Sequence, residues 1–176
     1  GVICPMINSV DDAASLVAAC KYPPQGMRSF GPIRAKYYAG GATHGGGDYH
    51  NHANDETLVI PQIETRQAIE NLDAILQVEG IGAVYVGPSD LAMALGSEPR
   101  KGQSDPAVVE ARNHILETCK KHRIPAGIHT NSVDVAVEMI RQGFQLTSLQ
   151  SDDRFLMQKA KQEVTDVRAA LDKEGL

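Results

Sequence analysis

The sequence predicts an α/β protein with parallel strands, on three observations. Apolar runs of four to six residues read as buried strands. Segments of helical period lie between them, and cap or stop residues punctuate those segments. Two architectures fit the alternation: a doubly wound open sheet, self-contained at this length, and part of a (β/α)8 barrel, which needs about 250 residues when whole.

The elements follow in chain order. The first strand candidate, Val2–Ile7, leads into "SVDDAASLVAAC", where Ser9 and Asp12 form a variant capping box and Ala13, Leu16, Val17 and Cys20 share one face. "MRSF", Met27–Phe30, is a further short strand candidate. Tyr37–Glu56, rich in glycine and polar residues, has no period and reads as a long loop of the kind that lies over active sites. Leu58–Ile63 is the next strand. A helix then starts at Thr65, buries Ala68, Ile69, Leu72, Ile75 and Leu76, and stops at Gly80. Ala83–Val86 follows. "DPAVVEARNHILETCKKH" has Asp105 as cap, Pro106 in its first turn, and Lys120, Lys121 and His122 at the negative end of the dipole. Ala126–His129 is a strand, "SVDVAVEMIRQG" a helix between Ser132 and Gly143, Leu146–Leu149 a strand, and residues 152–173 the last helix.

Bulk composition bounds the function. The 176 residues suffice for a single domain, and 42% hydrophobic with 22% charged residues is ordinary for a soluble globular chain. No apolar run approaches the roughly 20 residues of a membrane helix, and no signal-peptide pattern opens the chain, so the expected compartment is the cytoplasm. Cys4, Cys20 and Cys119 sit in apolar patterns without metal or disulfide spacing and read as buried thiols. A net charge of −5 with no basic patch disfavours nucleic acid, leaving small molecules or proteins as partners.

The candidate chemistry lies at strand ends. Gln62 and Glu64 project to the same side of their strand, and Asp90 follows the next one after a Gly-Pro turn. Two carboxylates beside an amide oxygen suit a hard cation such as Mg²⁺ or Mn²⁺. The structural alternatives are that Glu64 pairs with Arg66 or caps the next helix, and that Asp90 is an N-cap. In "GPSD", the backbone from Gly87 through Pro88 and Ser89 to Asp90 suits a carboxylate or phosphate, or is an ordinary turn. His129 ends a strand, as substrate contact and proton shuttle or as a hydrogen-bonded structural residue. His44, His50 and His52 have spacing for Zn²⁺, or belong to a solvated lid. The lysines fall in helices or loops, which disfavours imine chemistry, and no GxGxxG, P-loop or GxSxG motif is present.

"PQIETRQAIENLDAILQVEGIGAVYVGPSDLAMALG", with 26 positions from Glu64 to Asp90, resembles the metal-dependent, pyruvate-using class II aldolases of the HpcH/HpaI family. "VICPMINSVDDA", "YPPQGMRSFG" and "AGIHT" extend the resemblance over nearly all the chain. Ser29 stands where glycine is more usual, and His129 where some relatives carry an apolar residue.

The resemblance implies a (β/α)8 TIM barrel of which this chain is the C-terminal portion, about strands 4 to 8, as one partial domain. The family's catalytic histidine and its enolate-stabilising arginine would belong to the first three units. It implies that Glu64 and Asp90 bind the metal, Mg²⁺ or Mn²⁺ with Co²⁺ or Zn²⁺ admissible. Gln62 would hold a water or a substrate oxygen, Gly87–Asp90 the pyruvate carboxylate, and Phe30 and His129 would flank the substrate. The implied reaction is cleavage of a 4-hydroxy-2-oxo acid to pyruvate and an aldehyde. Oxaloacetate decarboxylation, citramalyl-type cleavage and a non-catalytic binding remnant are the alternatives. A homo-oligomer, hexameric in the family, is implied, with Phe155, Leu156, Ala160, Val164, Val167 and Leu171 as an apolar stripe packing on a neighbour or, more simply, on the chain's own barrel.

Overall fold

The computed structural model describes residues 1–31, 34 and 48–175. Its sheet has five short strands in the order β1 (Val2–Cys4), β2 (Val59–Ile63), β3 (Val84–Val86), β4 (Ala126–Ile128) and β5 (Leu146–Thr147). Every pairing is parallel. Each connection therefore steps to the next neighbour in one direction, and the described strands lack the reversal that defines a doubly wound sheet.

The helices begin and end where their caps dictate. In α1 (Val10–Cys20), Ser9 Oγ accepts from the Asp12 N–H at 3.1 Å and Asp12 Oδ2 accepts from the Asn8 N–H at 3.0 Å. The Asp12 carboxyl lies below the usual carboxylate range, chiefly because the Ser9 hydroxyl also hydrogen-bonds to it and next because the Asn8 N–H does. Three more helices are punctuated as their sequences require. In α6 (Pro106–His122) Asp105 accepts from the Ala107 N–H at 2.9 Å, and α7 (Val133–Gln142) runs from Ser132 to Gly143 at φ 115°. The short α5 (Pro88–Ala94) starts after Gly87 with proline in its first turn.

One face of the sheet is dry. Val59, Ile63, Val84, Val86, Ala126 and Ile128 meet Leu16 and Val17 of α1, Leu91 of α5 and Ile115 of α6 in a single buried cluster. Residues of opposite parity, including Ile60, Ala83 and Tyr85, point to the second face. The strands thus divide stability from chemistry: odd-numbered β2 positions fill the core, and Gln62 leads toward Glu64 on the other side.

Several expectations need correction. Met27–Phe30 is not a strand: Met27 and Arg28 donate their N–H groups to Ala18 O and Lys21 O at the end of α1. The strands are shorter than their apolar runs, since Pro5 lacks a donor and Met6 turns to φ 59°. The helix after Thr65 breaks at Asn71 into α3 (Arg66–Glu70) and α4 (Leu72–Ile75), where Asn71 Nδ2 donates to Asn8 O at 2.8 Å. Residues 37–47 of the predicted loop, with His44, lie outside the described residues. Its remainder forms a helix, α2 (Asp48–Glu56). Buried Lys21 anchors the end of α2 by donating to Asn54 O and, at 2.7 Å, to Thr57 O, while the Asn54 amide brackets the Tyr22 backbone. Tertiary bonding supplies what the polar sequence lacks.

The last helix, α8 (Asp152–Glu174), buries no residue, so its apolar stripe does not pack on its own domain. Pairs one turn apart, Lys159 with Glu163 at 2.5 Å and Gln162 with Asp166 at 2.6 Å, support it locally. Cys20 and Cys119 are buried and Cys4 is half-buried; all three are free thiols, and burial pushes the Cys119 thiol up to about 12. Among the described residues, no helix is long and apolar enough to cross a membrane.

Candidate active site

The strand register lines up the functional groups. Ile63 pairs with Val86, Val86 with Ile128, and Ile128 with Thr147. One residue further along each strand, Glu64, Gly87, His129 and Ser148 therefore form a line across the end of the sheet, all on the second face. Successive members stand about 4.8 Å apart in the direction of the sheet hydrogen bonds.

Glu64 is 1% exposed and is held at both oxygens. Oε1 accepts from the Met6 N–H at 2.8 Å, and Oε2 accepts from Gln62 Nε2 at 2.5 Å. It does not cap the following helix, a role taken by Thr65, whose Oγ1 accepts from the Ala68 N–H at 3.0 Å. Burial raises the Glu64 carboxyl above its ordinary range; the two hydrogen bonds oppose this, and the negative charge of Asp90 adds to it. Asp90 thus lies close enough to Glu64 for its charge to be felt there.

Asp90 is exposed in the first turn of α5, whose N-cap is Gly87. It is therefore not the cap that sequence reasoning allowed. Gly87 fills another need: a β-carbon there would lie 2.2 Å from Glu64 Oε2 and 2.5 Å from Gln62 Nε2. The acid and the amide occupy the space of the missing side chain. Glu64 and Gln62 line that cradle, and Asp90 at the start of α5 acts on Glu64 electrostatically; carboxylate and amide oxygens of this kind fit a hard divalent cation that keeps positions for water and substrate. No cluster of three or more acidic, histidine or cysteine ligands occurs among the described residues.

The remaining expected residues divide. Pro88 is buried and Ser89 exposed at the start of α5, and both line a cavity of about 210 Å³ with Arg100, Gln103, His129 and Arg154. His129 is exposed, fixed by its backbone N–H to Val86 O at 3.0 Å and by Gln103 Nε2 donating to its carbonyl at 2.9 Å. Phe30 is 70% exposed and packs with Tyr22 and, edge-on at 5.2 Å between centroids, with His50. That ring cluster places His50 among aromatics.

Sequence reasoning missed Tyr85 and Ser148. Tyr85 Oη donates to Ser148 Oγ at 3.1 Å, and Ser148 Oγ lies 3.0 Å from His129 Nδ1. Period-two counting held the signal: Tyr85 is two before Gly87, and Ser148 is two after Leu146. Gly127 makes room for the tyrosine, since a β-carbon there would meet Tyr85 Cδ2 at 2.8 Å.

The HpcH/HpaI aldolase/citrate lyase model matches residues 1–158. A hydroxypyruvate/pyruvate aldolase of Rhizorhabdus wittichii is 35% identical over 169 residues, covering 96% of this chain and 65% of its own length. A 4-hydroxy-2-oxovalerate aldolase of Rhodococcus jostii is 32% identical over 158 residues, covering 88% of this chain and 57% of its own. Among solved structures, an HpcH/HpaI aldolase/citrate lyase family protein of Burkholderia cenocepacia superposes with a TM-score of 0.77 at 26% identity, over 94% of this chain and 64% of that one. The chain thus spans about two thirds of the length of these relatives or less. From the Glu64–Asp90 segment outward through residues 1–158, the chain belongs to the HpcH/HpaI aldolase/citrate lyase family.

Proposed function

We propose that the protein carrying this chain is a class II aldolase that reversibly cleaves a 4-hydroxy-2-oxo acid to pyruvate and an aldehyde. The observation that carries the reading is the Gly87 cradle, filled by Glu64 and Gln62 on one face of the sheet, with the charge of Asp90 acting on Glu64. The names of the relatives, aldolases of hydroxypyruvate, 4-hydroxy-2-oxovalerate and 5-keto-4-deoxy-D-glucarate, support it. In this reading the five strands are a portion of a (β/α)8 barrel, whose active sites form at the C-terminal ends of the strands.

Glu64 and Asp90 hold a divalent cation, Mg²⁺ or Mn²⁺, which when bound offsets the charge of the pyruvate enolate. The chain's own residues do the rest. Gln62 orients the Glu64 carboxylate and offers its amide oxygen to water or substrate. The backbone of Gly87–Asp90 receives the substrate carboxylate, and the missing side chain of Gly87 leaves room for the Glu64 and Gln62 side chains beside it. Phe30 and His129 flank the substrate. The apolar stripe of α8, bare in the single chain, serves as a contact between subunits of a homo-oligomer, hexameric by family resemblance.

The test is pyruvate release from candidate hydroxy-oxo acids by the intact protein, before and after EDTA and with Mn²⁺ added back. Turnover that EDTA abolishes and Mn²⁺ restores is expected; turnover indifferent to EDTA overturns the reading.

A further inference from the structure

His129, Ser148 and Tyr85 form a hydrogen-bonded group on the same face as Glu64, two strands away along the line that the register defines. The donor count in this group is restrictive. Ser148 Oγ receives the Thr130 N–H at 3.1 Å and the Tyr85 O–H at 3.1 Å, while Tyr85 Oη also lies 3.4 Å from His129 Nδ1, a longer contact than the 3.0 Å of Ser148 Oγ. Those two bonds fill both lone pairs of a hydroxyl. Tyr85 is buried, and desolvation pushes its phenol up, so at neutral pH it stays a donor.

The single Ser148 proton then has two acceptors, His129 Nδ1 at 3.0 Å and Thr130 O at 3.3 Å. Nδ1 is the nearer. An imidazole that accepts at Nδ1 carries its proton on Nε2. The imidazole also lines the cavity shared with Ser89, Gln103 and Asn131 beside the Gly87–Asp90 turn. Two strand spacings, about 10 Å, separate its strand from that of Glu64. Pro88 and Ser89 of that turn and the His129 imidazole line this one cavity together.

Resting on the aldolase reading, we propose that neutral His129, fixed as its Nε2–H tautomer by Ser148 and Tyr85, donates a hydrogen bond to the substrate oxygen at C4. In the condensing direction that oxygen is the aldehyde carbonyl. The enolate C3 electron pair forms the C3–C4 bond, the C4=O π pair moves onto oxygen, and Nε2–H stabilises the charge that develops there. No proton needs to leave the imidazole in this step; the alkoxide is then protonated by solvent water. His129 is the catalytic residue of this group, while Ser148 and Tyr85 are positioning residues. A neutral imidazole can serve as an electrophile by directing its N–H at the oxygen where charge develops.

The experiment joins ¹⁵N NMR of the imidazole with two rates measured on the intact protein: condensation of pyruvate with acetaldehyde, and deuterium exchange at pyruvate C3, which involves no C4 oxygen. The wild type is expected to show Nε2–H at His129. His129→Leu is expected to lower the ratio of condensation to exchange by about 10²-fold, the usual effect of removing one oxyanion donor. Ser148→Ala should admit the Nδ1–H tautomer and lower the same ratio by roughly tenfold, an effect about one hydrogen bond in size, with Ser148→Thr restoring both. An Nδ1–H tautomer in the wild type, or an unchanged ratio in His129→Leu, overturns the proposal while leaving the aldolase reading intact. A wild type that neither condenses nor exchanges pyruvate overturns both.

Discussion

Gly87→Ala separates geometry from backbone conformation. Gly87 sits at φ −99°, ψ 92°, a region open to alanine, so the substitution imposes no torsional strain. The new methyl would begin 2.2 Å from Glu64 Oε2, whereas ordinary carbon–oxygen contact starts at about 3.3 Å. The carboxylate must retreat by about 1 Å. It has nowhere to go without loss, because its other oxygen is tied to the Met6 N–H at 2.8 Å and the side chain is almost wholly enclosed. A displacement of that size in a reacting constellation costs about 10²-fold in rate, and overpacking costs about 1–3 kcal/mol in stability. Mn²⁺ affinity by isothermal titration calorimetry and pyruvate release are therefore expected to fall together by about 10²-fold, in a protein whose circular dichroism is unchanged. Wild-type Mn²⁺ affinity in the alanine variant would refute the claim that Gly87 makes room for the ligand set.

Glu64→Gln should raise the melting temperature of the metal-free protein at pH 8 and do less at pH 5. A carboxyl raised in the folded state contributes stability that is full below its unfolded value and lost as pH rises through the folded one. Asp12, Asp73, Asp105 and Asp153 are lowered and act in the opposite direction, so the informative quantity is the difference between wild type and variant across pH. A pH-independent difference would show that Glu64 is not the titrating group. Lys21→Met removes two charged hydrogen bonds at the end of α2 and should cost roughly 2–3 kcal/mol in urea unfolding, with α2 losing hydrogen-exchange protection first. Uniform loss of protection would locate the role of Lys21 elsewhere.

The parts legible in the sequence were those that local rules govern. Ser9, Asp105 and Ser132 announce helix starts because an N-cap acts within three residues, and each is a cap in the structure. That Gln62 and Glu64 share one side was readable because strand parity alternates, and the two side chains are hydrogen-bonded in the structure. α2 was not readable: its nine residues are polar, and Lys21 and Asn54, which fix its place, meet only across the fold. The break at Asn71 escaped notice for the same reason, since its partner is Asn8. Ser148 and Tyr85 lay in plain sight within strand candidates. Their significance depended on the β3–β4–β5 register, which no single strand encodes.

The alignment of Glu64, Gly87, His129 and Ser148 has a consequence for how the protein tolerates change in length. Each group belongs to a different strand, and its side is set by a parity of two. Adding or removing one residue within β4 would turn His129 toward Leu91 and Ile115 and present its neighbour instead, whatever the identity of the residue added. A connection that carries no contact to the line can lengthen at the modest entropic cost of loop closure. The protein should therefore accept insertions freely between its strands and helices, and almost none within the few residues that lead up to the line.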